Sequence, residues 1–398
     1  MLARLREMDD DIYAKASFGA GVFFVVFYVG YLAGTHPPYD AFGYLIGRDF
    51  VNTWMGAQAA LHGEVHRLFD FPVYSEYLHA VFPTLPKHNW SYPPDLLLFI
   101  WPFAFLPYLG AYALWCAAGL GVYLGVAHRL GISKKGLVFL LVGPAVAINL
   151  FAGQNGFFTA ALLIGGLSLL DRRPLAAGIC FGLLTIKPQL GLLIPLALLL
   201  EGRWRTIAAA SVTFATLFVV TCAVFGVSVW SDYFALAVPF QTQVMNHGSG
   251  MIPVMMPTAF MNARVVGLPH TIAFYVQLPF TLLAMAAVVW TFIRRRDPVL
   301  SRAVLVTAIF VVTPYAFNYD MAVFGWLVWT LRERFSAPGD TRLLLIVWTL
   351  PVTEMLMGLA HLPGSALVLP ALLLRLVWML KHDEEAAVGL KAPAPAAA

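Results

Sequence analysis

The sequence predicts an all-α polytopic membrane protein, and three observations predict it. Of the 398 residues, 60% are hydrophobic and 12% are charged, whereas a soluble domain carries about 25% charged residues. The mean hydropathy is +0.77. Apolar runs near the ~20 residues of a bilayer-spanning helix recur along the whole chain. Such runs argue against a β-barrel, whose strands read as ~10-residue alternating segments. The formal charge of +4 gives no nucleic-acid signal, and no nucleic-acid partner is expected; in a membrane protein the basic residues mark cytoplasmic loops. Cys116, Cys180 and Cys222 lie inside apolar runs. They read as small buried hydrophobes, without a disulfide frame or metal spacing.

Residues 1–16 form a charged, amphipathic N-terminus placed in the cytoplasm. Asp9, Asp10 and Asp11 read as a solvated face or a helix start. The first span covers about Ser17–Gly34 and reads as a retained helix rather than a cleaved signal. A long polar interval comes next, and the chain is organised around its stretch from Gly47 to Asp95, which holds Arg48, Asp49, Glu64, Asp70, Glu76, Lys87 and Asp95. Phe50, Val51, Trp54, Ala57, Ala60 and Leu61 make a helical stripe that suits a helix lying on the membrane plane. Pro72, Pro83 and Pro86 break the later pieces of this loop. Leu96–Phe105 is too short to span and reads as a juxtamembrane or re-entrant helix, with Pro93 and Pro94 suited to its first turn.

Later spans are expected near 108–128, 137–151, 156–170, 174–186, 189–200, 206–226, 271–293, 300–316, 320–332, 342–360 and 364–380. With the first, that makes about twelve, several short for a ~30 Å hydrocarbon core. The pair 174–186 and 189–200 reads as two spans or one broken helix, divided at Lys187-Pro188. Residues 17–380 are thus one transmembrane domain, with outer loops at about 35–107 and 227–270. Residues 381–398, rich in Ala and Pro, read as a disordered cytoplasmic tail.

A cytoplasmic N-terminus puts 20 of the 25 Lys and Arg residues on the inner side, the bias that orients such chains. The outer side keeps Arg48, Arg67, Lys87, Lys187 and Arg264. The second outer loop mixes polar Gln241, Asn246 and His247 with Met251, Met255 and Met256. It suits either a surface that handles something amphipathic or a plain interfacial loop.

Several polar residues could carry chemistry. Asp49 either caps the helix after it or is a carboxylate able to take a proton from a hydroxyl. Lys187 interrupts an apolar run; it either snorkels to the interface or offers a point charge to a phosphate. Gly153-Gln154-Asn155-Gly156 is a tight turn or a set of polar contacts for a ligand. Asp320, in Asn318-Tyr319-Asp320, is a helix cap or a second carboxylate. Glu354 lies within a span and is paired or part of a site. Arg48 and Arg264 could fork onto a phosphate. His62 and His66 could share a helix face around a metal, but Gly63 ends that helix and no third ligand is evident, so two solvated histidines are preferred. The topology places Asp49, Gln154, Lys187, Arg264 and Asp320 on one outer face.

With these residues in view, the chain resembles the GT-C superfamily of glycosyltransferases. More narrowly it resembles glycosyltransferase family 87, which includes polyprenol-phosphate-mannose-dependent α-1,2-mannosyltransferases. The resemblance rests on Asp49-Phe50 with Ala57, Ala60-Leu61 and Gly63; Tyr92-Pro93-Pro94 with Pro102 and Leu106-Pro107; Trp115; Gly153-Gln154-Asn155; Asp171; Gly178 with Gly182-Leu183; and Lys187-Pro188. It implies a GT-C fold and transfer of a hexose, mannose favoured, from a polyprenyl-phosphate carrier to a lipid or glycan hydroxyl. It places Asp49 as general base in an inverting reaction. Chemistry and topology then assign the donor phosphate to Lys187, with Arg48, Gln154 and Arg264 as further ligands. Asn155, Tyr92, Asp320 and His247 are candidate acceptor or sugar contacts. No cofactor is implied, and a divalent metal, used by some GT-C relatives, stays open. The expected setting is a bacterial inner (plasma) membrane, both termini cytoplasmic and the site facing outward. The competing reading is a transporter or flippase for lipid-linked sugars, which would also tolerate intramembrane charges and broken helices. It is disfavoured because no internal repeat is evident and the polar candidates gather on one side. A membrane subunit without activity is the third reading.

Overall fold

The structure, a computed structural model, describes residues 2–86, 88–294, 297–335, 337 and 339–389. Lys87, Arg295, Arg296 and residues 390–398 of the expected tail lie outside the described residues. Within them the chain is helical, with no β-strand; two isolated bridges, His36 to Tyr39 and Tyr39 to Leu45, shape the loop after the first helix.

The principal helices are α1 (Leu2–Leu32), α2 (Phe50–His62), α3 (Phe71–Val81), α4 (Tyr108–Arg129), α5 (Lys134–Leu141), α6 (Pro144–Ala152), α7 (Gly156–Leu169), α8 (Pro174–Leu183) and α9 (Ile194–Glu201). They continue as α10 (Trp204–Phe225), α11 (Val238–His247), α12 (Ala259–Val265), α13 (His270–Ile293), α14 (Pro298–Val312), α15 (Ala322–Leu331), α16 (Asp340–Leu359) and α17 (Val368–Gly389). The last helix runs past Lys381 to Gly389, so that part of the expected tail is helical.

Six helices are long and apolar enough to cross a membrane, or seven if the pair α5 and α6, bent by 50°, counts as one span. This is a multi-pass membrane architecture. Other expected spans are shorter apolar helices: Gly156–Leu169, Pro174–Ile186, Pro188–Glu201 and Pro298–Val312. Proline sets the starts of the last three, because it suits the first helical turn and cannot serve an interior one. A 14-residue helix such as α7 reaches only ~21 Å. The breaks between such short pieces are where buried polar turns are found, as at Gln154-Asn155 and Lys187.

The exposed apolar side chains, among them Phe18, Val25, Val219, Tyr275 and Leu282, suit a lipid surround. α14 has the opposite character, buried on nearly every side, as a helix apolar all round should be. α8 and α10 pack against each other through glycine: a Cβ on Gly178 would lie 2.4 Å from the Thr206 carbonyl oxygen, and one on Gly182 would lie 2.5 Å from Thr213 Cβ. Small residues four apart let two backbones approach where lipid supplies no hydrophobic drive. The Lys- and Arg-rich loops meet in space. Arg203 and Arg302 both pair with Asp171, and Arg334 pairs with Asp297.

Candidate active site

Asp49 occupies the position before α2, yet its side chain makes no capping bond. Its Oδ2 instead accepts a hydrogen bond from Gln154 Nε2 at 2.8 Å, so the cap reading is not realised. The partner is delivered by a glycine. α6 ends at Gly153, which is left-handed with φ of 59°, and a Cβ there would lie 2.5 Å from Phe50 Cβ. Only glycine combines that backbone with that approach. Trp115 Nε1 fixes the turn by donating to the Gly153 carbonyl at 3.1 Å. Gln154 Oε1 accepts from the Tyr92 hydroxyl at 3.0 Å. Burial pushes the Tyr92 phenol well up, and the carboxylates of Asp49 and Asp320 add to this. Tyr92 therefore stays a proton donor and orients the amide so that its N–H faces Asp49.

Lys187 sits between two 3-10 turns, Leu184–Ile186 and Pro188–Gly191, and only 4% of its surface is exposed. It does not snorkel. Its Nζ donates to Asp320 Oδ1 at 2.6 Å and to Asn155 Oδ1 at 3.0 Å, and lies 4.5 Å from the Tyr319 ring centroid. Asp320 belongs to the turn Asn318–Met321 and caps no helix. Asn149 ties this turn to α7: its Nδ2 donates to the Tyr319 carbonyl at 2.6 Å, and its Oδ1 accepts from the Gly156 N–H at 2.9 Å. The fit leaves no room for a Cβ on Gly156, which would lie 2.1 Å from the Tyr319 oxygen. Asp320 Oδ2 and Asn155 Nδ2 are buried without a hydrogen-bond partner among the described residues. Groups so placed are costly unless something completes them.

Asp49, Asn52, Tyr92, Gln154 and Lys187 line one cavity of about 550 Å³, opposite Gln241 and the apolar Met251, Ile252 and Met255. The size suits a small-molecule or lipid headgroup site. The two long loops contact each other through His66 and Asp232 at 2.6 Å and through stacked Phe71 and Phe240 rings 4.3 Å apart.

Arg48, Arg264 and His247 are not brought to this cavity. Arg48 pairs with Asp40 at 2.6 Å and lies over the Tyr44 ring. Arg264 Nη1 donates to the Leu268 carbonyl at 2.9 Å. His247 is exposed, with its ring against His270. Glu354 is buried in α16, and neither carboxyl oxygen has a hydrogen-bond partner among the described residues. His62 turns back to the Gln58 carbonyl and His66 to Asp232. Among the described residues no group of three or more His, Cys, Asp or Glu side chains could hold a metal. The sequence reading passed over Asn149, Asn52 and the role of Asp95, which is fully buried and accepts from Thr185 Oγ1 at 3.1 Å. A lone Asn inside an apolar run was the one signal that could have found Asn149.

The sequence model of glycosyltransferase family 87 matches residues 90–314. The match includes Tyr92, Gln154, Asn155 and Lys187 and leaves Asp49 and Asp320 outside it. Comparison with curated proteins and with solved structures gives no match.

Proposed function

The chain belongs to glycosyltransferase family 87, and from that premise we propose a specific reaction for this membrane glycosyltransferase. It moves a hexose, mannose favoured, from a polyprenyl-phosphate carrier to a lipid or glycan hydroxyl on the outer face, with inversion. The observation that carries this reading is the shared cavity: a carboxylate held by Gln154 and a buried lysine, 138 positions apart in the chain, face one space.

Each side chain has work to do there. The acceptor hydroxyl oxygen attacks the anomeric carbon and its proton passes to Asp49. The bond from that carbon to the phosphate oxygen breaks, and the electron pair leaves on the phosphate. The Gln154 N–H donates to Asp49 Oδ2 and holds the carboxylate in place. Lys187 uses two of its three N–H donors on Asn155 and Asp320; the third can receive the leaving phosphate. Asp320 positions Lys187. A second, apolar cavity of about 820 Å³ includes Leu96, Phe103, Trp115, Phe158 and Leu183, and shares Ile186 with the first. That shared wall at Ile186 supports a prenyl-chain donor.

The test is sugar transfer in proteoliposomes, offering polyprenyl-phosphate mannose, glucose and arabinose with a mixed lipid acceptor extract. The proposal expects a sugar-bearing product from the mannose donor. Absence of transfer from any donor, with intact lipid-linked sugar crossing the bilayer, would establish the transporter reading instead.

A further inference from the structure

α1 is one uninterrupted helix, but the elements it leans on are not. At one end the Tyr13 ring meets Phe139 and Trp329. At the other, the Tyr28 hydroxyl donates to the Ala147 carbonyl at 2.6 Å, and the Phe27 and Tyr31 rings pack on Phe151. Between these anchors α5 and α6 bend by 50°, at Gly143-Pro144. A straight rod cannot track such a bend, so a gap opens. It is a groove of about 800 Å³, walled by Gly21, Val22 and Val25 of α1 and by Val138 and Val142. A Cβ on Gly21 would lie 3.6 Å from Val142.

The groove is apolar along its length and cationic at one end, where Ser133, Lys135 and Arg332 line it. Arg332 is engaged, with its guanidinium over the Trp329 ring and bonded to Glu333. Lys135 is exposed and pairs with no carboxylate among the described residues. An apolar slot long enough for an acyl chain, ending in an uncompensated cation and a hydroxyl, matches one kind of molecule in a bilayer.

We propose that this groove holds a single anionic glycerophospholipid, its phosphate at Lys135 and Ser133 and an acyl chain between α1 and α5. The lipid completes the packing that the bend denies to α1. This site is separate from the sugar-transfer cavity and does not depend on the reading given to it.

The full chain, purified in mild detergent, would be offered equal amounts of phosphatidylglycerol and phosphatidylcholine and weighed by native mass spectrometry. One tightly held phosphatidylglycerol is expected. Lys135→Ala should cut the preference for it about fivefold, the factor one lysine contributes near an anionic headgroup. Val25→Trp fills the groove from an exposed position and should reduce retention of both lipids. Equal retention of the two lipids by the unaltered chain, or a preference unchanged in Lys135→Ala, would overturn the proposal.

Discussion

Replacing Lys187 with Met tests whether the buried pair is one unit. Met keeps the length of the side chain and removes the charge. Asp320, 1% exposed, would then lose the ammonium 2.6 Å from its Oδ1. Its Oδ2 already lacks a partner. Removing one member of a buried pair costs about 3–5 kcal/mol, because the other charge stays behind without compensation. Asp320→Asn should cost a similar amount by stranding the ammonium. The double variant strands neither charge. It should lose only about 1–2 kcal/mol, the cost of imperfectly paired Asn155 and Asn side chains. Thermal unfolding in detergent, run on all four proteins, measures the coupling. The double variant should unfold well above either single variant. It should nevertheless transfer no sugar, since the cation proposed to receive the leaving phosphate is gone. A double variant whose loss equals the sum of the two singles would refute the reasoning, because the charges would then be independent.

The geometry sets two further outcomes. Gly153→Ala should cost about 1–2 kcal/mol in left-handed backbone strain and push α2 away through Phe50, so that transfer falls about 10²-fold as Gln154 and Asp49 separate; product formation per correctly inserted molecule checks this. At Asp171, burial pulls the carboxyl up, but the Arg203 hydrogen bond and the Arg302 charge outweigh it and hold the group below the usual carboxylate range. Its contribution is therefore present above the ordinary carboxylate pKa and is lost as pH falls through the lower folded value. Asp171→Asn should unfold earlier than the unaltered chain at pH 7 and alongside it in strong acid. The gap should be small, about 0–1 kcal/mol, because the side chain is 47% exposed and screened.

What the sequence made legible was the cost of polarity in an apolar chain. Gln154, Asn155, Lys187 and Asp320 each interrupt a hydrophobic run, and such residues need a partner or a task. Gln154 and Lys187 line one cavity, and Asn155 and Asp320 are bonded to Lys187. What stayed hidden was which partner each would find. Asp49 meets Gln154 across 105 positions, and Lys187 meets Asp320 across 133. Those pairings are set by helix packing that local pattern does not encode. Arg48 has a nearer partner, Asp40, in its own loop, and Arg264 has a carbonyl four residues on; local hydrogen bonds claimed both arginines. The hydropathy pattern placed the helix breaks well, at Lys187-Pro188 and around Asn318. It could not tell a short buried helix such as α14 from a span, since both read as continuous apolar sequence.

The central claim, that Asp49 takes the acceptor proton, is tested most directly by Asp49→Asn. The substitution keeps the shape and removes the base. Sugar transfer and binding of the polyprenyl-phosphate-sugar donor would be measured on the same proteoliposomes. The account predicts donor binding retained and transfer reduced by about 10²–10⁴-fold, the range that a general base supplies. Transfer undiminished in Asp49→Asn would contradict it.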